Sequence, residues 1–218
     1  MESEAVAGRG TESQKTREKI LLATLANVPF DGWTGKALLT GARDAGYETS
    51  TAALAFPGGM AEVAQYFSAF ADQRMLAQLE KRGIERLRVR ERVALAVRVR
   101  LQQNAKHKEA VRHLLSFLAL PQNAALGLKC LYRTVDAMWY AAGDTATDFN
   151  FYTKRALLAG VYASTVLYWL NDASKGFEKT FAFLDRRIED VMNMGKLGGR
   201  VKDLIDPFHL FRDRAGGR

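Results

Sequence analysis

The sequence predicts an all-α fold of about nine or ten helices. Between residues 155 and 171 the chain is apolar on almost every side, which is typical of a helix buried in a core. The run from Leu157 to Leu170 is 14 residues long, shorter than the roughly 20 residues that span a bilayer, so we expect a central core helix. From Phe177 to Val191 the apolar residues recur every three or four positions, as on one face of a helix.

Length and composition favour one domain in a reducing compartment. The 218 residues suffice for a sizeable core, and no linker rich in Pro, Gly or Ser divides them. The single cysteine, Cys130, lies in an apolar helical run, where we expect it to pack. The first residues contain no apolar stretch typical of a secretory signal, and they mix acidic with basic side chains, unlike a transit peptide. We therefore expect a cytoplasmic protein.

The N-terminal region is predicted to be a flexible segment, 1–14, followed by a four-helix head, 15–81. The first helix should end ahead of Pro29, because the residue before a proline disfavours the helical conformation. Gly46 should stop the second helix, and Pro57 the third. The predicted helices cover residues 15–26, 36–45, 51–56 and 61–81.

This order of helices is similar to the DNA-binding head of TetR-type regulators, and residues 42–47 resemble the turn of that family. The segment in the recognition position, 51–56, contains no Arg, Lys, Asn or Gln to reach base edges. Residues 1–71 carry 8 acidic and 6 basic side chains, so they would neutralise few phosphates. We expect a degenerate helix-turn-helix that binds no nucleic acid. The alternative is a TetR-like transcriptional regulator with a hydrophobic ligand pocket.

The segment 86–101 shows two periods at once. Its apolar residues fall at odd positions, as in a strand, yet Val89, Val93, Val97 and Leu101 also form a helical row. We predict a helix, because 16 residues is long for a strand and the chain offers no partner strand. Much of the net charge of +8 lies here, with 12 basic and 5 acidic side chains in residues 72–112. Its arginines either form a solvated face or contact anionic lipid or an acidic partner.

The body is predicted to span residues 82–195. Helices are expected over 111–120 and 124–142, then from Thr147 or Asp148 to Asn171. Asp172 can stop that helix and cap the next. In the tail, 196–218, a short helix should be followed by another that begins at Pro207.

We find no motif that builds an active site. The sequence contains no Glu-x-x-His pattern, the signature of a di-iron carboxylate bundle, and no Gly-rich phosphate loop. Asp144 and Asp148 stand four apart, but capping and turn roles explain them more simply than acid–base chemistry. We therefore expect no catalytic residue, metal or cofactor. An enzyme acting on a lipid is the third alternative.

Several segments resemble the Coq-nine family of ubiquinone-biosynthesis accessory proteins. They are MWYAAGD at 138–144, TDFN at 147–150, YTKRA at 152–156, and residues 183–188 and 192–195; residues 28–34 also resemble the family's entry motif. The resemblance extends over about residues 19–202. It implies a non-enzymatic homodimer of TetR-like fold that binds isoprenoid and quinone-precursor lipids. It also implies that an amphipathic C-terminal segment associates with the membrane, and that lipid is presented to the di-iron demethoxyubiquinone hydroxylase. For a bacterial member this means the inner face of the inner membrane.

A lipid pocket is expected between two apolar helices of the body. Tyr162 and Thr165 would be the few polar groups that orient a quinone head. The candidate lining residues are Leu131, Val135, Met138, Leu158, Val161, Tyr162 and Thr165.

A partner patch is implied by the family's Asp-Phe-Asn-Trp-Tyr run, which matches residues 148–152. Phe151 stands where the typical member has Trp, so the indole N–H is missing. Helical spacing should put Asp148, Tyr152 and Arg155 on one face and let Phe151 stack on Arg155. If the two aromatic residues face the core instead, the patch is structural.

The tail combines apolar and basic residues, as interfacial segments do. It should bind either a membrane surface or a neighbouring subunit. The candidate membrane-binding residues are Leu204, Ile205, Phe208, Leu210, Phe211, Arg212 and Arg214.

Overall fold

The computed structural model describes the backbone of residues 2–144 and 149–205, and the side chains of residues 12–144 and 151–191. Over these residues every regular element is helical, which confirms the predicted all-α class. The nine α-helices of the described part are α1 (Glu2–Asp31), α2 (Gly35–Asp44), α3 (Thr49–Ala55), α4 (Gly59–Arg82), α5 (Val89–Gln103), α6 (Lys108–Leu118), α7 (Ala124–Ala141), α8 (Phe149–Asn171) and α9 (Glu178–Ile205).

The helices enclose two apolar cores. The head core lies between α1, α2, α3 and α4 and is completed by α6, with Ile20, Trp33 and Phe56 at its centre. The body core lies between α4, α5, α7, α8 and α9 and is built around Met75 and Trp169. Helix α4 contributes to both cores, since its first half packs in the head and its second half in the body.

The predicted bounds of α1 are wrong at both ends. The helix begins at Glu2, and it passes through Pro29 to end at Asp31. Pro29 has no N–H to donate, yet the helix still closes with a bond from the Gly32 amide to the Val28 carbonyl at 2.9 Å. Val28 is fully buried, so packing holds this last turn in place.

Helix α2 crosses α1 with almost no space between the backbones. A Cβ atom added at Gly41 would lie 2.5 Å from the amide nitrogen of Thr24 and 2.7 Å from its Cα. Thr34 caps α2 by accepting from the Ala37 amide at 3.5 Å. Gly41 is therefore required at this crossing for its missing side chain.

The segment 86–101, whose spacing fitted both a strand and a helix, lies mainly in helix α5. A short 3₁₀ turn at Ile84–Arg86 precedes that helix. Val93, Val97 and Leu101 of the helical row are buried, whereas Val89 is half exposed. The expectation that the arginines form a solvated face is wrong for Arg100, which is 7% exposed. It is incomplete for Arg92, whose guanidinium donates to the carbonyls of residues 85, 87 and 142.

The turn between α8 and α9 is held from both sides. Asp172 accepts from the Ser174 and Thr180 amides at 2.8 and 2.9 Å, which confirms its predicted capping role. Desolvation by itself would raise the pKa of the Asp172 carboxyl, but these bonds outweigh it and hold the pKa well below its ordinary value. Lys108 and Arg112 of α6 donate to the carbonyls of residues 172 and 170, so basic side chains meet the end of α8.

Helix α9 continues without a break to Ile205. The short tail helix predicted ahead of Pro207 is therefore the end of α9 rather than a separate element. The predicted helix that starts at Pro207 lies outside the described residues.

Candidate functional site

A cavity of about 560 Å³, called the body cavity here, lies between α4, α5, α6, α7 and α8. Its walls are mainly aliphatic and aromatic. Phe67 comes from α4, Leu114 from α6, Leu131 from α7 and Trp169 from α8. Cavities of roughly 300–1,000 Å³ with apolar walls and a few polar groups are typical of small-molecule sites.

Three polar residues that line the body cavity, Arg100, Thr134 and Tyr162, belong to one cluster with Asp72. Arg100 pairs with Asp72 of α4, with Nη1 2.7 Å from Oδ1, and both side chains are 8% exposed. Arg100 Nε also donates to the Tyr162 hydroxyl at 2.8 Å. The Thr134 hydroxyl donates to Asp72 Oδ2 at 3.3 Å. Burial raises the pKa of the Asp72 carboxyl, although the Arg100 charge opposes the shift.

Cys130 lines the same cavity and is buried, as expected of a packing residue. Burial raises the pKa of its thiol. The protonated thiol is a poor nucleophile, so this position is unsuited to thiolate chemistry.

A second cavity of about 570 Å³, called the α9 cavity here, lies on the other side of α8. It is bounded by α5, the end of α7, α8 and α9. Val93, Trp139 and Ile188 form part of its apolar wall, and Arg90 and Lys154 also line it. The body therefore offers two separate apolar spaces of similar size.

The residues predicted to line one lipid pocket are divided between these two spaces and the core. Leu131 and Tyr162 line the body cavity, and Leu158 and Val161 line the α9 cavity. The other three lie between the helices, fully buried: Val135, Met138 and Thr165. The Thr165 hydroxyl donates to the Val161 carbonyl at 2.6 Å, one turn earlier in α8. Lipid contact by these seven residues stays a prediction.

The predicted partner patch does not form a single exposed face. Tyr152 is 66% exposed, whereas Arg155 is 5% exposed. The expectation that these two residues share a face is wrong, because Arg155 turns inward to two carboxylates. Its Nε lies 2.7 Å from Asp136 Oδ1, and its Nη1 lies 3.2 Å from Asp144 Oδ2. Asp148, the third residue of that predicted face, lies outside the described residues.

The predicted stacking of Phe151 on Arg155 is present, with the guanidinium carbon 3.3 Å from the ring centre. Phe151 also meets the Tyr152 ring edge to face at 5.1 Å. Asp144 is held by Lys154 at 2.8 Å in addition to Arg155. It therefore joins α7 to α8 through ion pairs. The exposed Tyr152 therefore contacts a Phe151 ring that Arg155 holds in position.

The described part of the chain was also compared with the requirements of a membrane span and of a metal site. There, no helix taken singly is long and apolar enough to cross a membrane, and one pair, 105–118 with 121–141, passes by length and composition but is bent by 99°. No group of three metal-ligating side chains is found among the same residues. The side chains of Leu204 and Ile205 are not described, and residues 206–218 with the rest of the predicted membrane contact lie outside the described range.

Sequence reasoning missed the Asp72–Arg100 pair. One signal could have found Arg100, since it falls seven residues after Val93 and four before Asn104, on the buried stripe of α5. Asp72 likewise follows Ser68 by four residues on the buried face of α4. A charge on each of two apolar stripes suggests a buried pair, because an unpaired buried charge is costly.

Comparison with known proteins identifies the family. The COQ9 family model matches residues 124–195, which include α7, α8 and α9 as far as Gly195. "Ubiquinone biosynthesis protein COQ9, mitochondrial" of Rattus norvegicus is 38% identical over 201 residues, covering 87% of this chain and 62% of that protein. The protein of the same name from Homo sapiens is 35% identical and is covered to 61%. "Ubiquinone biosynthesis protein COQ9-B, mitochondrial" of Xenopus laevis is 34% identical, with 87% of this chain matching 68% of it.

The fold is similar to that of a transcriptional regulator. The crystal structure of the TetR transcriptional regulator from Nitrosomonas europaea ATCC 19718 aligns with a TM-score of 0.66 at 20% identity, over 79% of this chain and 95% of the regulator. At this identity the likeness establishes the TetR-like fold alone. The chain spans less than two thirds of the rat and human relatives, and the match to the Xenopus protein exceeds that share. By sequence, this chain belongs to the COQ9 family.

Proposed function

We propose that this protein is a non-enzymatic accessory protein of ubiquinone biosynthesis. In this role it binds an isoprenoid or quinone-precursor lipid at the membrane and presents it to a biosynthetic hydroxylase. The observation that best supports lipid binding is the body cavity, about 560 Å³ of mainly apolar space with one buried polar cluster. The names of its relatives support the pathway.

The hydroxylase would contact the surface around Tyr152. Exposed aromatic side chains contribute much of the energy of protein interfaces, especially when they are held rigidly. Tyr152 meets both conditions, because it is 66% exposed and its neighbour Phe151 is fixed by the buried Arg155. The role of Arg155 in this proposal is to position the aromatic pair rather than to touch the partner.

A second copy of the chain would pack on the outer face of α8. From Ala156 to Tyr168 this face carries no charged side chain, and Leu167 is 59% exposed. At Gly160 a Cβ atom would meet nothing within 4 Å, so another helix can approach there. Exposed uncharged faces of this kind mark association sites, and two copies of one face suit a twofold dimer.

The tail would hold the protein at the inner face of the bacterial inner membrane. Phe208, Leu210 and Phe211 beside Arg212 and Arg214 suit an anionic membrane surface. The relatives named above are described as mitochondrial. Truncation after Gly199 should lower binding to anionic vesicles, and loss of the dimer instead would indicate that the tail packs on a neighbouring subunit.

Native mass spectrometry with extraction of the co-purifying lipid tests the lipid proposal. We expect Leu131→Trp, which fills the body cavity, to lower the lipid content. Val89→Trp fills the α9 cavity, so a loss with this variant alone would place the lipid there instead. Tyr132→Trp is the matched control, because Tyr132 is 47% exposed on the same helix. Protein that carries no lipid, and is not stabilised by ubiquinone precursors, would contradict the proposal.

A TetR-like transcriptional regulator is the second candidate, favoured by the fold alone. In the recognition position, α3 is seven residues long, has no cationic side chain and exposes Leu54 at 83%. A recognition helix needs side chains that reach base edges and phosphates. A gel shift titrated with salt separates the two functions, and we expect no shift at physiological salt.

A further inference from the structure

Arg100 is an unusual residue to find in an apolar cavity. Its side chain is 8% exposed, and it lies against the body cavity beside Leu101 and Trp169. A buried cation is costly unless it is paired. Here the pairing is internal, because Asp72 lies 2.7 Å away and is buried to the same extent. The pair therefore presents no net charge to whatever enters the cavity.

This compensation disfavours an anionic ligand. A carboxylate that approached Arg100 would meet the carboxylate of Asp72 on the same guanidinium. Two carboxylates that share one site repel each other, and one of them then tends to take up a proton. Displacing Asp72 instead would leave a buried charge without its partner. Protonation of a carboxylate and displacement of Asp72 both cost free energy, and binding of an uncharged ligand involves neither.

For an uncharged head group, in contrast, the Tyr162 hydroxyl is available as a hydrogen-bond donor. The Tyr162 oxygen accepts from Arg100 Nε at 2.8 Å, so its own proton points elsewhere. Among the described side chains and backbone, no acceptor for that proton is found. Tyr162 lines the cavity, where a carbonyl, ether or hydroxyl oxygen of a ligand could accept it.

We propose that the body cavity selects uncharged amphiphiles with an oxygen-bearing head over fatty-acid anions, and that Asp72 is the residue that excludes the anions. In this arrangement Tyr162 donates to the head oxygen, and Arg100 orients the Tyr162 hydroxyl. The inference rests on the proposed lipid-binding function and adds the ligand class and the residue that sets it.

The test measures the affinities of decylubiquinone and oleate at neutral pH by quenching of tryptophan fluorescence, since Trp169 lines the cavity. We expect the wild-type protein to bind the quinone about tenfold more tightly than oleate. Asp72→Asn exposes the Arg100 charge and should raise oleate affinity about tenfold, with little change for the quinone. Tyr162→Phe should weaken the quinone about fivefold and leave oleate unchanged.

One further variant and one fallback measurement keep the test decisive. The double variant Asp72→Asn, Arg100→Gln removes both charges, so it should again disfavour oleate. If Asp72→Asn does not fold, the wild-type ratio and Tyr162→Phe decide. Equal or tighter binding of oleate by the wild-type protein, or an unchanged ratio in Asp72→Asn, would overturn this inference and leave lipid binding standing. Failure of both probes to bind the wild-type protein would overturn the proposed function as well.

Discussion

The guanidinium carbon of Arg155 lies 3.3 Å from the centre of the Phe151 ring, while the same side chain pairs with Asp136 and Asp144. The pair with Asp144 is buried, since the two side chains are 5% and 6% exposed. Removal of one partner from a buried pair leaves an uncompensated charge and costs about 3–5 kcal/mol. We therefore expect Arg155→Met to lower the free energy of unfolding by several kcal/mol, as measured in urea.

Tyr152→Ala is the matched change on the exposed side of the same turn. Because Tyr152 is 66% exposed, we expect the free energy of unfolding to change by no more than about 0.5 kcal/mol. Pull-down of the hydroxylase by this variant should be lost. A stable Arg155→Met protein, or a Tyr152→Ala protein that unfolds, would reverse these structural roles. A stable Tyr152→Ala protein that still binds the enzyme would show that the partner surface lies elsewhere.

Gly41→Ala should destabilise the head. The added methyl group would lie 2.5–2.7 Å from backbone atoms of Thr24, so α1 and α2 must move apart. Forced overpacking costs typically about 1–3 kcal/mol, which chemical denaturation can resolve. Gly35→Ala at the start of α2 is the control, because a Cβ there meets nothing within 4 Å. Equal stability of the two variants would show that the crossing relaxes freely.

Acid should weaken the fold through His107. Burial, together with the charges of Lys106 and Arg74, lowers the pKa of His107 from 6.5 to about 4. The unfolded chain therefore binds the proton more readily, and stability is complete above the unfolded pKa and falls as the pH drops from 6.5 towards 4. His107→Gln should flatten the dependence of the unfolding free energy on pH in this window. An unchanged slope would mean that other groups dominate.

Leu167→Glu should dissociate the proposed dimer. The change puts a charge on the uncharged outer face of α8, where its burial against a second copy would be costly. Leu54→Glu is a suitable control, since Leu54 is 83% exposed on α3. Sedimentation equilibrium should report a monomer for the first variant and a dimer for the second. A dimer in both would move the interface away from this face.

The sequence predicted the positions of the helices better than the contacts between residues on different helices. In α5 the row of Val93, Val97 and Leu101 correctly favoured a helix over a strand, because no partner strand was available. The bounds of α1 could not be read from Pro29, since tertiary packing of Val28 overrides the local preference. The partner of Arg100 lies on a different helix, and spacing within one helix carries no information about it.

The cavities were beyond prediction for a related reason. Val161 and Tyr162 are neighbours in sequence, yet they line different cavities because successive residues of a helix point about 100° apart. Spacing assigns residues to faces of α8, but the presence of space beside a face depends on the packing of other helices. Similarly, the sequence could pair Arg155 with Phe151 four residues away, whereas its inward turn depends on Asp136.

Helix α4 makes the head and the body thermodynamically inseparable. Val63 and Phe67 are buried in the head core, and Met75 and Leu79 of the same continuous helix are buried in the body core. Neither half of the molecule can melt without exposing apolar surface of the other, so heating should give one cooperative transition. Ligand bound in the body cavity would then raise the melting temperature of the head as well. The fluorescence of Trp33 should report its binding, because the Trp33 ring centre lies 6.3 Å from that of Phe67, which lines the cavity.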